Sequence, residues 1–375
     1  MLACRTSVVR LSSRRKLAPW VDDSSRWRRH SSTSMCLEYS KNGDPEKVVV
    51  MKETTLPAPT GNQVLMKMLA APVNPADINT IQGVYAVQPP LPSIPGNEGV
   101  GEVVAVGDEC GGVLQPGDWV IPRVNAMGTW RTHIVAPHTD LIKVPSNADM
   151  VTAATIAVNP GTAYRMLKDF VPLTSGDTVI QNGANSAVGQ AVIQIAAAFG
   201  INTINVVRNR SNIDELKDYL TRLGATVVVT EEELRKSKSV KALPPPRLAL
   251  NCVSGRSGTE ILRQLVHGGV MVTYGGMSRQ PVIGPVGSLI FSDVTLRGFW
   301  MTRWNKEHFN DSQRQQMVDD LFQLAQSGKA EASRQHTCSF CQLHCCSEEC
   351  HAKRRYVGEE ADTSVLVSVR YSLIC

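Results

Sequence analysis

Asp177-Thr178-Val179-Ile180-Gln181-Asn182-Gly183-Ala184-Asn185-Ser186-Ala187-Val188-Gly189-Gln190 reads as a strand, a turn of small residues and the first turn of a helix. Side chains this small let a diphosphate approach the backbone. The N–H groups and positive end of the following helix then hold it. The stretch is not a strict G-x-G-x-x-G, and such a turn also serves as plain strand-to-helix packing. The downstream pattern favours a nucleotide site. Strands at 178–181, 203–207, 226–229, 248–252 and 270–274 alternate with helices at 190–199, 213–223 and 259–265. That alternation predicts a parallel, doubly wound sheet with the turn at its first strand-to-helix junction.

The next strand bears on which dinucleotide would bind. A site for NAD places Asp or Glu at the end of that strand, on the ribose 2′-hydroxyl. Here Asn205-Val206-Val207-Arg208-Asn209-Arg210 ends in two arginines. Guanidinium groups suit a 2′-phosphate through charge-assisted bidentate bonds, so the pattern points to NADPH. The competing reading is a pair of ordinary surface arginines.

Upstream the pattern changes. Strands are expected at 48–51 and 64–70, a Pro-rich loop over 86–96, and a β-rich run at 99–107 with Gly at the bends. Pro116-Gly117-Asp118 is a turn before a strand at 119–122. Residues 45–145 therefore predict a Gly-rich, strand-dominated barrel. Helical stretches at 152–155 and 161–167 join the two halves. The expected organisation is a leader at 1–34, a catalytic domain at 35–160, a nucleotide-binding domain at 161–300, a return to the first domain at 301–330, and a poorly ordered Cys-rich tail at 331–375.

Composition bounds the function. A chain of 375 residues, 42% apolar and 19% charged, makes two globular domains rather than a disulfide-stapled scaffold or a disordered chain. No apolar run approaches the ~20 residues of a membrane span. The net charge of +5 is local. Seven arginines and one lysine against two aspartates give residues 1–34 a charge of +6, leaving −1 for the rest. A nearly neutral body argues against a nucleic-acid partner. The Arg- and Ser-rich, acid-poor leader reads as a mitochondrial transit peptide cleaved near Arg28-Arg29-His30-Ser31. A basic arm touching RNA or anionic lipid is the alternative.

Several further motifs carry a family resemblance. They are Ala71-Pro72-Val73-Asn74-Pro75-Ala76-Asp77-Ile78-Asn79, Ile81-Gln82-Gly83-Val84-Tyr85, Pro95-Gly96-Asn97-Glu98-Gly99-Val100, Val158-Asn159-Pro160-Gly161-Thr162-Ala163-Tyr164-Arg165, Tyr274-Gly275-Gly276-Met277 and Arg297-Gly298-Phe299-Trp300. With them, residues from about 40 to 330 resemble the medium-chain dehydrogenase/reductase superfamily, and within it the mitochondrial enoyl thioester reductases. The resemblance implies an α/β architecture, a GroES-like β-barrel catalytic domain plus a Rossmann doubly wound parallel sheet. It also implies NADPH-dependent reduction of trans-2-enoyl-CoA or enoyl-acyl-carrier protein in mitochondrial fatty-acid synthesis, in the matrix, by a homodimer. Tyr85 would donate the proton, and Asn79 and Trp300 would shape the substrate pocket. Asn159 would bond the nicotinamide end, Asn185, Ser186, Ala187 and Val188 would line the diphosphate, and Arg208, Asn209 and Arg210 would hold the 2′-phosphate. Tyr274, Gly275, Gly276 and Met277, with Phe299, Trp300 and Met301, would flank the nicotinamide and ribose. Zinc-dependent members carry Gly-His-Glu where this chain has Gly96-Asn97-Glu98, and Cys110 is the lone cysteine of the region around 95–120. No metal is expected.

The resemblance stops near residue 330. Cys338, Cys341, Cys345, Cys346 and Cys350 with His344 and His351 then crowd together. They read as an added zinc knuckle or as sequence of arbitrary composition from an alternative exon or shifted frame. The latter leaves an inactive isoform as one alternative; a zinc-free quinone reductase is another.

Overall fold

The computed structural model describes residues 32–332, together with the backbone of Gln335–Ser339 and Ser364–Ser368. The leader through residue 31 and the tail cysteine cluster, apart from the backbone of Cys338, lie outside the described residues. The first strand, Ser32–Tyr39, begins three residues inside the segment assigned to the leader. Ser34 is buried there, and its hydroxyl donates to the His133 carbonyl at 3.0 Å. This strand pairs antiparallel with Val49–Leu56, which runs five residues past the expected end at 51.

One sheet is six-stranded and parallel, in the order Val227–Thr230, Asn202–Val207, Thr178–Asn182, Leu248–Asn251, Val270–Thr273, Thr295–Gly298. Every residue of Thr178–Asn182 and Leu248–Asn251 is buried, as central strands covered on both faces must be. The strand order reverses beside Thr178–Asn182, which places the small-residue turn at the switch point where open α/β sheets take ligands. Helix Ala187–Ala198 starts three residues before the expected position because the Ser186 side chain caps it, accepting from Gly189 N at 3.1 Å. Helix Gly255–Leu262 likewise starts early, in a Gly-rich stretch of poor helix propensity. A Cβ at Gly258 would lie 3.1 Å from the Asn251 side chain, so close packing rather than propensity sets that helix.

The other sheet is antiparallel and curled. Gln63–Val73 pairs with Val100–Val106 and with His133–Pro137, and Ser364–Ser368 lies along its outer end. Trp119–Pro122 continues the sheet to Leu141–Val144. Register shifts at Leu65/Met66 and Met68/Ala70 bend the long strand. Met66, Met68, Val103, Val120 and Ile134 fill the inside of the curl.

Helices Met150–Thr155, Asn159–Asp169, Met301–Glu307 and Ser312–Gln326 join the two sheets. One core runs through Ile142, Ala154, Met166, Val192, Trp304 and Leu321. Asn125 Nδ2 donates to the Thr302 carbonyl at 3.1 Å, tying the curled sheet to the returning segment. Among the described residues no helix is long and apolar enough to cross a membrane.

Candidate active site

A cavity of about 180 Å³ opens between the sheets, lined by Tyr85, Asn159, Val188, Tyr274, Phe299, Trp300 and Met301 among others. Seven of the residues singled out in the sequence thus meet in one place. They come from the loop after helix Pro75–Ile81, three helix N-termini and the segments just past two parallel strands.

Helix Pro75–Ile81 ends at Gly83, whose φ of 76° is the left-handed conformation of a helix stop. The chain then turns out and sets half-buried Tyr85 on the cavity wall. Trp300, just past strand Thr295–Gly298, donates its Nε1–H to the Tyr85 oxygen at 2.7 Å. The two rings meet edge-on, with centroids 6.0 Å apart and planes at 83°. The phenol oxygen is the acceptor in this bond, so its own O–H is not used by Trp300. Burial, with Cys252 alongside, pushes the Tyr274 phenol well above its ordinary value, so Tyr274 is a poor acid at the same cavity. Asn79 does not line the cavity: its carbonyl accepts from Val84 N at 3.0 Å, closing the turn.

The turn after strand Thr178–Asn182 has the shape an anion needs. Gly183 sits at φ 58°, and a Cβ at Gly189 would stand 2.5 Å from the Ala184 carbonyl oxygen. The amide Nδ2 of Asn185 is buried without a hydrogen-bond partner. First-turn amides such as those of Ala187 and Val188 have no acceptor within their helix. An unsatisfied buried donor beside helix N–H groups fits a diphosphate. Arg208 and Asn209 are exposed at the end of strand Asn202–Val207, with Arg210 half-buried beyond them. Gly275 follows strand Val270–Thr273, and a Cβ there would stand 3.1 Å from the Cys252 carbonyl oxygen, while Met277 is largely exposed.

Sequence reasoning missed a buried polar cluster behind the cavity residues Asn74 and Asn97. Glu98 is 1% exposed, and Asp77 equally so. Glu98 Oε1 accepts from Asn74 Nδ2 at 2.8 Å, and Oε2 accepts from Val158 N at 2.9 Å. Asp77 accepts from Asn74 N at 2.8 Å and from Asn97 N and Nδ2 at 3.1 and 2.6 Å. Burial pushes Glu98 up to about 8 and Asp77 up to about 6, against the pull of these donors. The one available signal was two acids set in apolar, Pro- and Gly-rich sequence. A metal does not fit here. Asn97 offers an amide already bonded to Asp77 and to Ala126 N, and no three His, Cys, Asp or Glu side chains converge among the described residues.

Residues 60–146 match the family described as alcohol dehydrogenase GroES-like domain, and residues 187–319 match that described as zinc-binding dehydrogenase. The mitochondrial enoyl-[acyl-carrier-protein] reductase of Homo sapiens is 56% identical over 299 residues, covering 79% of this chain and 80% of that one. The mitochondrial 2-enoyl thioester reductase Etr1p/Etr2p heterodimer from Candida tropicalis superposes with a TM-score of 0.81 at 35% identity, covering 90% of this chain and 100% of that one. The Etr1p/NADP/crotonyl-CoA complex gives the same score, identity and coverage.

Proposed function

Because the chain belongs to the family of mitochondrial enoyl-[acyl-carrier-protein] reductases, we propose that it reduces trans-2-enoyl thioesters with NADPH in the mitochondrion, and that Tyr85 is the proton donor. The observation that carries the reading is the Trp300 Nε1–H bonded to the Tyr85 oxygen on the wall of the cavity. When bound, NADPH supplies the hydride to the β-carbon of the enoyl thioester. The α-carbon then needs a proton, and Tyr85 gives it. A phenol O–H is a proton source that can give its proton to a developing carbanion. The Trp300 donor stabilises the phenolate left behind.

The cofactor assignment for individual residues rests on fit. Asn185 Nδ2 and the first-turn amides of Ala187 and Val188 suit the diphosphate. Ser186 sets the helix start that aims those amides. Arg208, Asn209 and Arg210 suit the 2′-phosphate. Asn159, Tyr274 and Phe299 suit the nicotinamide end, with Gly275 and Gly276 allowing close approach and Met277 and Met301 flanking it. Trp300 serves both the cofactor end and the substrate pocket. Asn79, in the last turn of helix Pro75–Ile81, is better read as supporting the Tyr85 loop through its carbonyl.

The test is NADPH oxidation by the purified chain with a trans-2-enoyl-CoA and with a quinone. Saturable turnover of the enoyl thioester alone is the expected result. Turnover of the quinone alone would favour the quinone-reductase reading. NADPH binding without turnover of either would favour the inactive isoform.

A homodimer is supported by one face of the parallel sheet. Its last strand, Thr295–Gly298, is exposed at every residue. Beside it Val286, Ile290 and Phe291 stand out, Phe291 being 81% exposed. An open strand edge next to an apolar patch is a surface that a second copy covers. Phe291→Asp is expected to shift the protein to monomer in size-exclusion chromatography with light scattering. A variant that elutes at the same mass as the unmodified chain would count against this face.

A further inference from the structure

Glu98 is a buried carboxyl with an unusual set of partners. Among the described residues it makes no ion pair with Lys or Arg; its partners are the Asn74 amide and the Val158 N–H, with the Ala157 backbone amide also stabilising the ionised form. The Thr129 hydroxyl bonds to its main-chain carbonyl at 2.7 Å, and the charged group facing it is Asp77, from helix Pro75–Ile81. An acid held this way is costly, and its bonds to Asn74 and Val158 converge on one neighbour. Val158 directly precedes Asn159. Asn74, whose Nδ2 goes to Glu98, uses its Oδ1 to accept from Asn159 Nδ2 at 3.1 Å. Asn159 lines the cavity, and its Oδ1 has no hydrogen bond among the described residues.

The direction of this chain depends on Glu98. As a carboxylate, Glu98 accepts from both donors. Asn74 must then present Nδ2 to Glu98 and Oδ1 to Asn159, which leaves Asn159 Oδ1 as an acceptor toward the cavity. As a neutral acid, Glu98 has an O–H to donate. Asn74 can then reverse, giving Nδ2 to Asn159 Oδ1 and turning a donor outward. We propose that Glu98 is a positioning residue that, through Asn74, fixes Asn159 Oδ1 as the acceptor for the carboxamide N–H₂ of the nicotinamide, so that cofactor binding favours the ionised acid and releases its proton. This rests on the cofactor reading above. Burial leaves much of the free protein protonated at Glu98 near neutral pH, so there is a proton to release.

Titration calorimetry with NADPH, in two buffers of different ionisation enthalpy near pH 7, counts the protons released. The unmodified chain is expected to release more than Glu98→Gln, in which an amide replaces the acid and holds the reversed chain. The 2′-phosphate contributes to both proteins, so the difference reports on Glu98 together with the Asp77 carboxyl coupled to it. Glu98→Gln is also expected to bind NADPH about five- to tenfold more weakly, the effect of one misdirected hydrogen bond. Asn159→Ala leaves the buried acid untouched and is the second variant, serving where Glu98→Gln fails to fold. It should likewise release fewer protons. Equal proton release in the unmodified chain and in either folded variant overturns the inference while leaving NADPH as the cofactor. Absence of NADPH binding to the unmodified chain overturns both.

Discussion

Tyr85→Phe is expected to lower kcat with a trans-2-enoyl-CoA by about 10²–10⁴-fold, the usual contribution of a positioned general acid. The substitution removes one oxygen and leaves the ring, so the edge-on contact with Trp300 survives. NADPH affinity should stay within about twofold, because the phenol's role belongs to the chemical step rather than to uniform binding. Folding should be little affected, since Tyr85 is half-buried on a loop and the freed Trp300 N–H, on a side chain also half-buried, can reach water. The check is steady-state kinetics together with a direct NADPH titration. A Tyr85→Phe enzyme that keeps most of its kcat would remove Tyr85 from the mechanism. A fall in rate matched by loss of NADPH binding would assign it to the cofactor pocket instead.

The second large effect is on cofactor choice. Replacing Arg208 and Arg210 together with Ala should weaken NADPH by about 10²-fold while leaving NADH nearly unchanged. Charge-assisted hydrogen bonds are worth ~1.5–3 kcal/mol each, and exposure of Arg208 argues for the lower figure. Two such bonds give about 3 kcal/mol, or roughly a hundredfold. The 2′-phosphate is the one group that separates the two dinucleotides, so the ratio of their dissociation constants isolates it. The single variants should each show part of the effect, stronger in low salt. An NADPH/NADH ratio that the double variant leaves unchanged would place the 2′-phosphate elsewhere.

The arginines and Tyr85 differ in how legible they are. The arginines follow a strand that periodicity locates, a run of apolar and small residues ahead of Arg208. The diphosphate turn is local in the same way, a run of Asn, Gly, Ala and Ser ahead of a capped helix. Such features lie within a dozen residues, where dihedral preference and side-chain size act directly, so the sequence by itself determined the parallel sheet, its turn and the character of its cofactor. Tyr85 is marked in the sequence by a family motif alone, and its bond from Trp300, 215 positions away, exists only in the tertiary structure.

Glu98 marks the limit. Its neighbours stand 24 and 60 positions away, and Asn74 and Asn159 are 85 apart. The sequence shows an acid in a Gly-rich strand lead-in and nothing of what surrounds it. Burial, the loss of water around the carboxyl and the direction of the amide chain all arise when the curled sheet closes on helix Asn159–Asp169. Tertiary packing likewise keeps Asn79, within helix Pro75–Ile81, off the cavity lining, and leaves Thr295–Gly298 as the last strand of the parallel sheet. Local conformation is encoded by neighbouring residues and could be read. Proton affinity and hydrogen-bond direction depend on which distant groups exclude water together, and that the tertiary structure decided.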